Sequence, residues 1–400
     1  MAEAVIVAAS RTPIGRAVKG SLTEARPDDM SAFILSDVLS KVDGLEPGDI
    51  EDVIWGIGQP GGEGGYNVAR VASVLAGVNA PGVTVNRYCS SSLQTIRMAA
   101  HAIKSGEGDC FVAGGVEAVS RYQNGAADSG PHNSRFADAE SRTGRRAGEG
   151  AETWTPPRGL PDIYIAMGQT AENVAQCKGV SRQAQDEWGV LSQNRAEQAR
   201  NRGFFEREIT PYPLSDGSEV RQDDGIREGT TLANVSQLQP VFRPDGTVTA
   251  GNCCPLNDGA AAVVVMSDTK AAELGAKPLA RIVATGVSAL NPEIMGLGPV
   301  EACRQALGRA GMTIADIDHV EINEAFAAQV LPSADDLGID HDKLNPNGGS
   351  IALGHPFGMT GSRIMCTLLN GLEDADNTIG LESMCVGGGQ GMAMIIERLN

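Results

Sequence analysis

Two cysteines and one histidine in this sequence stand in surroundings that suit a reaction with a nucleophile and a separate acid or base. Cys89 follows an apolar strand end and precedes three serines, where a helix is predicted to begin near Leu93. The free N–H groups and dipole of a helix start lower the pKa of a thiol and can bind a developing oxyanion. A buried cysteine can also act simply as a small hydrophobic residue. Taken alone, Cys89 leaves both interpretations open.

His355 and Cys385 both lie beside glycines. His355 stands between Gly354 and Pro356, and Cys385 precedes three glycines at 387–389. Glycine-rich backbone lets other groups approach closely and exposes N–H groups to a ligand. The three glycines could also form a phosphate cradle, but neither GxGxxG nor a P-loop with its lysine is present. With Cys89, these residues fit nucleophilic catalysis in glycine-rich turns that follow strands.

Asn323 is a further candidate because it follows a predicted strand at 319–322. Its amide could orient a water or polarise a carbonyl, although asparagine at a strand end is most often turn chemistry. No metal site is predicted, because CxxC and HExxH are missing and Cys253–Cys254 has no matching pair at zinc spacing. A papain-like protease would leave Cys385 unexplained.

The elements that must position these residues are predicted to be two α/β units. Apolar runs at 4–9, 53–57 and 110–113 predict buried strands, and the apolar spacing at 93–103 predicts a helix. Similar runs recur roughly 270 residues later, which indicates a duplicated unit. The predicted domains are residues 1–120, completed by 251–270, an inserted loop domain at 121–250, and a second half at 271–400. Helices are predicted within the insertion at 167–177 and 182–203, and an insertion of this length suggests substrate contacts.

Composition excludes several classes of protein. The 400 residues are 42% hydrophobic, which rules out disorder, and 50 of them are glycine. A net charge of -18 argues against nucleic acid or a membrane surface as partners, and no apolar run is long enough to span a bilayer. The eight cysteines, without a signal peptide, are expected to be reduced thiols in a cytoplasmic protein.

Ordered motifs along essentially the whole chain resemble the thiolase family, which contains acetyl-CoA acetyltransferases and 3-ketoacyl-CoA thiolases. Besides the Cys89 segment, they are RTPIG at 11–15, GGVEAVS at 114–120, MGQTAEN at 167–173, TAGN at 249–252, LNDGAA at 256–261, NEAFA at 323–327, GGSIALGHP at 348–356 and CVGGGQG at 385–391. The resemblance implies an α/β protein with the duplicated thiolase fold, a five-layered α-β-α-β-α core with an inserted loop domain. It also implies a homodimer or homotetramer.

The resemblance implies a role for each candidate. Cys89 matches the nucleophile that accepts the acyl group, and His355 matches the base that activates it and a donor to thioester oxygens. Cys385 matches the acid/base that exchanges a proton with the α-carbon of acetyl-CoA. Asn323 matches the residue that holds an oxyanion-hole water, and the N–H groups of Cys89 and Gly387 match a second oxyanion hole.

Coenzyme A or acyl-CoA is implied as substrate, with no permanently bound cofactor. Arg227 matches an arginine near the adenine end, and Met167 and Met295 match positions lining the pantetheine and acyl region. Cys254 falls where a serine that contacts pantetheine is expected. An arginine cluster in the insertion could meet the CoA phosphates, form a subunit contact or be a solvated face. Its members are Arg135, Arg142, Arg145 and Arg146.

The expected reaction is thiolase chemistry: CoA-dependent cleavage of 3-ketoacyl-CoA to acetyl-CoA and a shortened acyl-CoA, or the reverse Claisen condensation, as in fatty acid metabolism and β-oxidation. Ala166 and Cys254 depart from the pattern of enzymes specific for acetoacetyl-CoA, so a longer or branched acyl chain is open. One alternative is a ketoacyl-synthase-like condensing enzyme, against which Cys385 argues. Another is a non-catalytic thiolase relative that binds CoA or lipid, although no catalytic residue is missing.

Overall fold

The strands form two similar halves of one sheet. The computed structural model describes residues 2–122 and 130–399, so residues 123–129 of the predicted insertion lie outside the description. The strands are β1 (Ala4–Arg11), β2 (Gly15–Arg16), β3 (Asp52–Gly56), β4 (Gly82–Val85), β5 (Cys110–Ala118), β6 (Tyr212–Pro213), β7 (Glu219–Val220), β8 (Asn257–Ser267), β9 (Ala280–Ala289), β10 (His319–Ile322), β11 (Ile379–Val386) and β12 (Gln390–Arg398).

Helices lie between the strands and in the long connection from β5 to β8. They are α1 (Pro27–Ser40), α2 (Val68–Leu75), α3 (Ser91–Ser105), α4 (Ala137–Arg146), α5 (Met167–Lys178), α6 (Arg182–Asn201), α7 (Leu232–Val235), α8 (Asp268–Leu274), α9 (Gly298–Ala310), α10 (Ala327–Leu337), α11 (Ser350–Leu353) and α12 (Thr360–Asp374). The helices predicted in the connection are α5 and α6, and α4 and the short α7 are further helices there that the periodicity did not indicate.

The strand order confirms the predicted duplication. Across the described sheet it runs β10-β11-β12-β9-β1-β8-β5-β3-β4, with β2 beside β8. The first half, β1-β8-β5-β3, therefore repeats as β9-β12-β11-β10 in the second. The halves meet where β1 and β9 pair over two residues, Val5 with Arg281 and Ile6 with Ala280. Strand β8 returns the chain to the first half after the long connection.

Three apolar clusters show how the layers stack. One lies between the first half of the sheet and the outer helices α1 and α2. A second joins both halves of the sheet to α3 and α12, and a third lies between the second half and the outer helices α9 and α10. The order is therefore α-β-α-β-α, and the predicted five-layered thiolase fold is confirmed. Because α3 and α12 lie between the two halves of the sheet, α12 is buried on nearly all sides.

Local sequence explains why these elements form. Strand β8 consists of eleven buried residues, mostly alanine and valine, as expected of a strand covered on both faces. In α3, Leu93, Ile96 and Ile103 point into the central cluster at helical spacing. The helix ends at Gly106, whose φ of +81° is a left-handed conformation that glycine adopts without strain.

Candidate active site

Cys89 lies in a tight turn immediately before α3. A 3-10 turn spans Tyr88–Ser90, and Tyr88 has a φ of +44°, which is unusual for a residue with a side chain. Ser91 holds the turn, since its hydroxyl accepts the Arg87 N–H at 2.9 Å and donates to the Tyr88 carbonyl at 2.7 Å. The serine run thus fastens the turn, and Ser90, at the helix N-cap, makes no side-chain capping bond.

The Cys89 sulfur is enclosed and faces two main-chain donors. The residue is buried, and the N–H groups of Cys89 itself and of Gly387 hydrogen-bond to the sulfur. Burial raises the pKa of the thiol to about 11, because the loss of solvent outweighs the two N–H groups that favour the thiolate. The predicted pair of oxyanion donors therefore surrounds a thiol that needs a base.

Cys385 lies within β11, opposite Gly391 of β12, and not in the glycine turn predicted for it. The turn begins two residues later because the small, apolar residues up to Val386 continue the ladder. Burial raises the pKa of the Cys385 thiol well above its ordinary value, and the nearby Cys89 raises it further. Cys254 is a third member of this group. Burial raises the pKa of its thiol, and the nearby Cys89 and Cys385 raise it further. The fold thus collects three thiols in one place.

His355 and Asn323 meet in the second half of the molecule. The His355 Nε2 lies 3.3 Å from the Asn323 Nδ2, and both residues are buried. Burial, with a smaller effect of the Arg363 charge, lowers the pKa of the imidazole to about 3. Gly354 approaches so closely that a Cβ there would lie 2.7 Å from the Asn257 side chain, whose Oδ1 accepts the His355 N–H. His355 is therefore a neutral, rigidly held imidazole.

Two buried carboxylates support these residues and were not among the predicted site residues. Glu117 accepts N–H groups from Gly58 at 2.8 Å and Gly358 at 2.7 Å, and so joins the first half to the loop after His355. Glu324 accepts from the Trp188 Nε1, the Ser192 hydroxyl, the Asn345 amide and the Ile351 N–H. Their signal in the sequence was a carboxylate inside an otherwise apolar motif.

The four residues expected to contact CoA separate into two places. Met167, Cys254 and Met295 belong to the apolar cluster that contains Cys385. Arg227 lies at the surface, where its main-chain N–H donates to Gln193 at 2.8 Å and its side chain is near Cys253. The structure therefore places apolar side chains beside the thiols and an exposed cation near Cys253.

The arginine cluster has a partly internal role that was not among its predicted alternatives. Arg142 donates to Glu293 at 2.7 Å, and Glu293 also accepts from the Trp154 Nε1 at 2.7 Å and the Asp162 N–H at 2.9 Å. These bonds fasten the segment 154–162 to the chain beside Met295. Arg146 likewise bonds to the side chains of α5, whereas Arg135 and Arg145 are exposed.

Comparison with protein families identifies the whole chain. A model described as "Thiolase, N-terminal domain" matches residues 4–269, and one described as "Thiolase, C-terminal domain" matches residues 276–398. The chain belongs to the thiolase family. Between them the two models cover both halves of the sheet and every candidate residue of this thiolase.

Individual thiolases are similar over their full length. A 3-ketoacyl-CoA thiolase of Aeromonas hydrophila is 43% identical, with all of both chains covered, and one of Bacillus subtilis is 41% identical over 99% of this chain and all of that one. Among solved structures, the dimeric peroxisomal thiolase of Saccharomyces cerevisiae has a TM-score of 0.89 at 36% identity, with 99% and 97% of the chains covered. The Bacillus anthracis acetyl-CoA acetyltransferase has a TM-score of 0.85 at 36% identity, with 100% and 99% covered. This thiolase is therefore an acyltransferase.

Two further findings concern the described part of this thiolase. None of its helices combines the length and apolar character that crossing a membrane requires. Within residues 2–122 and 130–399, no three His, Cys, Asp or Glu side chains are grouped so that they could hold a metal ion.

Proposed function

We propose that this thiolase cleaves 3-ketoacyl-CoA with CoA through an acyl group carried on Cys89, and catalyses the reverse condensation. The observation that carries the proposal is that two thiols lie close together in different surroundings. Cys89 faces the N–H groups of Cys89 and Gly387, and Cys385 lies beside it in β11. One thiol is placed to accept an acyl group at a thioester whose oxygen meets two donors, and the other to exchange a proton.

In cleavage, the proton of Cys89 passes to His355 and the sulfur attacks C3 of the substrate. The C2–C3 bond breaks, its electron pair forms the enolate of acetyl-CoA, and Cys385 protonates C2. Incoming CoA gives its thiol proton to the Cys385 thiolate and attacks the acyl carbon. The Cys89 sulfur then leaves and recovers its proton from His355. Asn323 supports this assignment because its amide lies next to His355, where a water could complete an oxyanion site.

The substrate is a 3-ketoacyl-CoA with an acyl chain beyond the four-carbon acetoacetyl group. Ala166 and Cys254 support this, because both depart from the residues of short-chain enzymes and Cys254 adjoins the thiols. The apolar side chains of Met167 and Met295 offer the wall against which an acyl or pantetheine chain would pack. This substrate class would place the protein in the β-oxidation of fatty acids.

Coenzyme A enters as substrate and leaves as product, without being permanently bound. We assign its contacts to the inserted domain at 121–250. The rest of the chain forms the two halves, one from 1–120 with 251–270 and the other from 271–400. Arg227 supports this, since an exposed cation in a protein of net charge -18 provides the local attraction that an anionic ligand needs.

A cytoplasmic homodimer, or a tetramer built from two such dimers, is the proposed assembly. Among the described residues no strand pairs with the outer edge of β4, and Val83 on it and Val74 and Leu75 on the adjacent α2 are exposed. An uncovered edge beside apolar side chains suits pairing with a second copy of the same strand. The yeast relative is described as dimeric.

A thiolysis assay tests the proposed reaction. Purified protein is mixed with CoA and 3-ketoacyl-CoA substrates of increasing chain length, and the loss of the substrate enolate is followed. Cleavage with a preference for chains longer than acetoacetyl-CoA is expected. Activity restricted to acetoacetyl-CoA would refute the substrate assignment, and no activity at any length would refute the reaction.

A further inference from the structure

The hydrogen bonds around the His355 ring determine which nitrogen carries its proton. Nδ1 lies 2.6 Å from the Thr360 hydroxyl oxygen, which is 2.7 Å from the Pro356 carbonyl oxygen. A hydroxyl donates one proton, and a carbonyl oxygen only accepts. If that proton were directed to Nδ1, the two oxygens would face each other at 2.7 Å with no proton between them. The hydroxyl therefore donates to Pro356, and the Nδ1–H of His355 donates to the hydroxyl.

The contacts on the other side of the ring agree with this direction. Arg363 donates to the Ser350 hydroxyl at 2.8 Å, and an arginine has no acceptor to offer in return. The Ser350 hydroxyl therefore donates its own hydrogen bond to the Asn323 Oδ1, which lies 2.6 Å away. This bond turns the Asn323 Nδ2 toward the His355 Nε2, where an N–H meets a lone pair. Two separate chains of hydrogen bonds, one on each nitrogen, favour the same tautomer.

We infer that Thr360 is a positioning residue that holds His355 with its proton on Nδ1, so that Nε2 keeps the lone pair that takes the proton of Cys89. The inference rests on the base role proposed for His355. In the other tautomer, Nε2 would already carry the proton and would have no lone pair with which to accept one from Cys89. Thr360 is the first residue of α12 and is buried, so its hydroxyl is held in place by the helix start.

Two substitutions at this position separate the hydroxyl from the shape of the side chain. Thr360→Val keeps the branched shape without the hydroxyl, and Thr360→Ser keeps the hydroxyl. Thr367→Val is the matched control, since Thr367 is a buried threonine two turns farther along α12 whose hydroxyl bonds to Glu208 and the Arg363 carbonyl. The measured quantity is the single-turnover rate at which acetyl-CoA acylates Cys89.

Thr360→Val is expected to acylate about 10- to 100-fold more slowly. This loss is comparable to the rate contribution of a positioned base and smaller than the roughly 10⁴-fold loss caused by a base fixed in the wrong tautomer. Thr360→Ser and Thr367→Val should stay within about threefold of the wild type, because His355 keeps its partner in both. A Thr360→Val protein that acylates at the wild-type rate would overturn the inference. So would a Thr360→Ser protein as slow as Thr360→Val.

Solid-state NMR of ¹⁵N-histidine-labelled wild-type protein tests the tautomer without any turnover. The His355 signals are identified by their loss in His355→Gln. A protonated Nδ1 with an unprotonated Nε2 is expected at pH 7.5, and the reverse pattern would refute the inference. Because this measurement needs no substrate, it decides the tautomer even if the thiolysis assay shows that the proposed reaction is wrong.

Discussion

At the scale of single residues, burial keeps the reacting groups of this site uncharged. It raises the pKa of the Cys89 thiol to about 11 and lowers that of the His355 imidazole to about 3. Both shifts have the same cause, since a low-dielectric interior disfavours whichever form is charged. In the proposed reaction, a thiolate and an imidazolium form together, when the proton of Cys89 moves to His355 beside the bound substrate.

The two cysteines should separate acylation from proton exchange at the substrate carbon. Cys385→Ala is expected to lower thiolysis by about 10²- to 10⁴-fold, the usual contribution of a positioned acid/base, yet to take up an acetyl group from acetyl-CoA on Cys89. Cys89→Ala should show neither activity. Intact-protein mass spectrometry detects the acyl group, and Cys177→Ala, which removes an exposed thiol on α5, is the control that should behave as wild type. A Cys385→Ala protein that does not acylate would mean that the two roles are wrongly assigned.

The low pKa of His355 predicts a loss of stability in mild acid. In the unfolded chain the imidazole binds a proton below its ordinary pKa of 6.5, whereas in the folded protein it stays neutral down to about pH 3. The unfolded state thus binds more protons, and folding is weakened as the pH falls below 6.5, by about 2 kcal/mol at pH 5. His355→Gln should lack this part of the loss. Urea unfolding at pH 7.5 and pH 5 measures it at fixed protein concentration, and equal losses in both proteins would contradict it.

At the scale of elements, glycines allow the two halves to approach as closely as the site requires. A Cβ on Gly361 of α12 would lie 2.3 Å from the Leu93 main-chain nitrogen of α3, and one on Gly115 would lie 2.1 Å from the Gly358 carbonyl oxygen. Backbone therefore meets backbone between α3 and α12, and between β5 and the loop after His355. Part of the glycine content of the sequence serves these contacts between the halves, and part serves turns.

A pair of glycine-to-alanine changes tests the close approach of α3 and α12. Gly361→Ala should destabilise the protein by about 1–3 kcal/mol or more, because neither helix backbone can move away without disturbing the central layer. Gly308→Ala lies in α9, where a Cβ meets nothing within 4 Å, and should stabilise by about 0.5–1 kcal/mol. Urea unfolding compares the two. If Gly361→Ala were as stable as the wild type, the contact between the helices would be looser than described.

At the scale of the whole molecule, the duplicated sheet leaves its two edges in different states. At one end, β10 is followed by a single bridge from Val320 to Leu344, and the residues there are buried. At the other end, β4 is paired on one side only within the part of the chain that the structure describes, and Val74 and Leu75 beside it are 61% and 54% exposed. A sheet with such an edge risks unwanted pairing unless something covers it. A second copy of the chain is the proposed cover.

A charge on this edge should therefore dissociate the proposed dimer. Val83→Lys places an ammonium group where two copies of β4 would meet, and sedimentation should show a smaller species than the wild type at equal concentration. Val241→Lys puts the same charge at an exposed valine in the connection between β5 and β8 and should not change the assembly. A monomeric wild type would exclude β4 as the interface. So would a Val83→Lys protein that sediments at the same size as an oligomeric wild type.

Much of the fold follows from the sequence because its signals are local. The apolar run within β8 and the helical spacing from Leu93 to Ile103 predict their own elements, and the repeated runs predict the duplication. The exact end of β11 was not predictable, because whether Cys385 belongs to a strand or a turn depends on its pairing with Gly391. Likewise, Arg142 and Glu293, which bond to each other, lie 151 residues apart in the sequence, and no local pattern joins them.

The sequence by itself determined which chemical groups are available: a cysteine at a helix start, a second cysteine before three glycines, and a histidine among glycines. The tertiary structure decided how they act. It brings Cys89 from the first half beside Cys385 from the second, buries both of them and His355, and fixes the direction of the hydrogen bonds through Thr360 and Ser350. The physical reason is that nucleophilicity and protonation depend on solvent exclusion and on the neighbours in space, and both arise only when the two halves pack together.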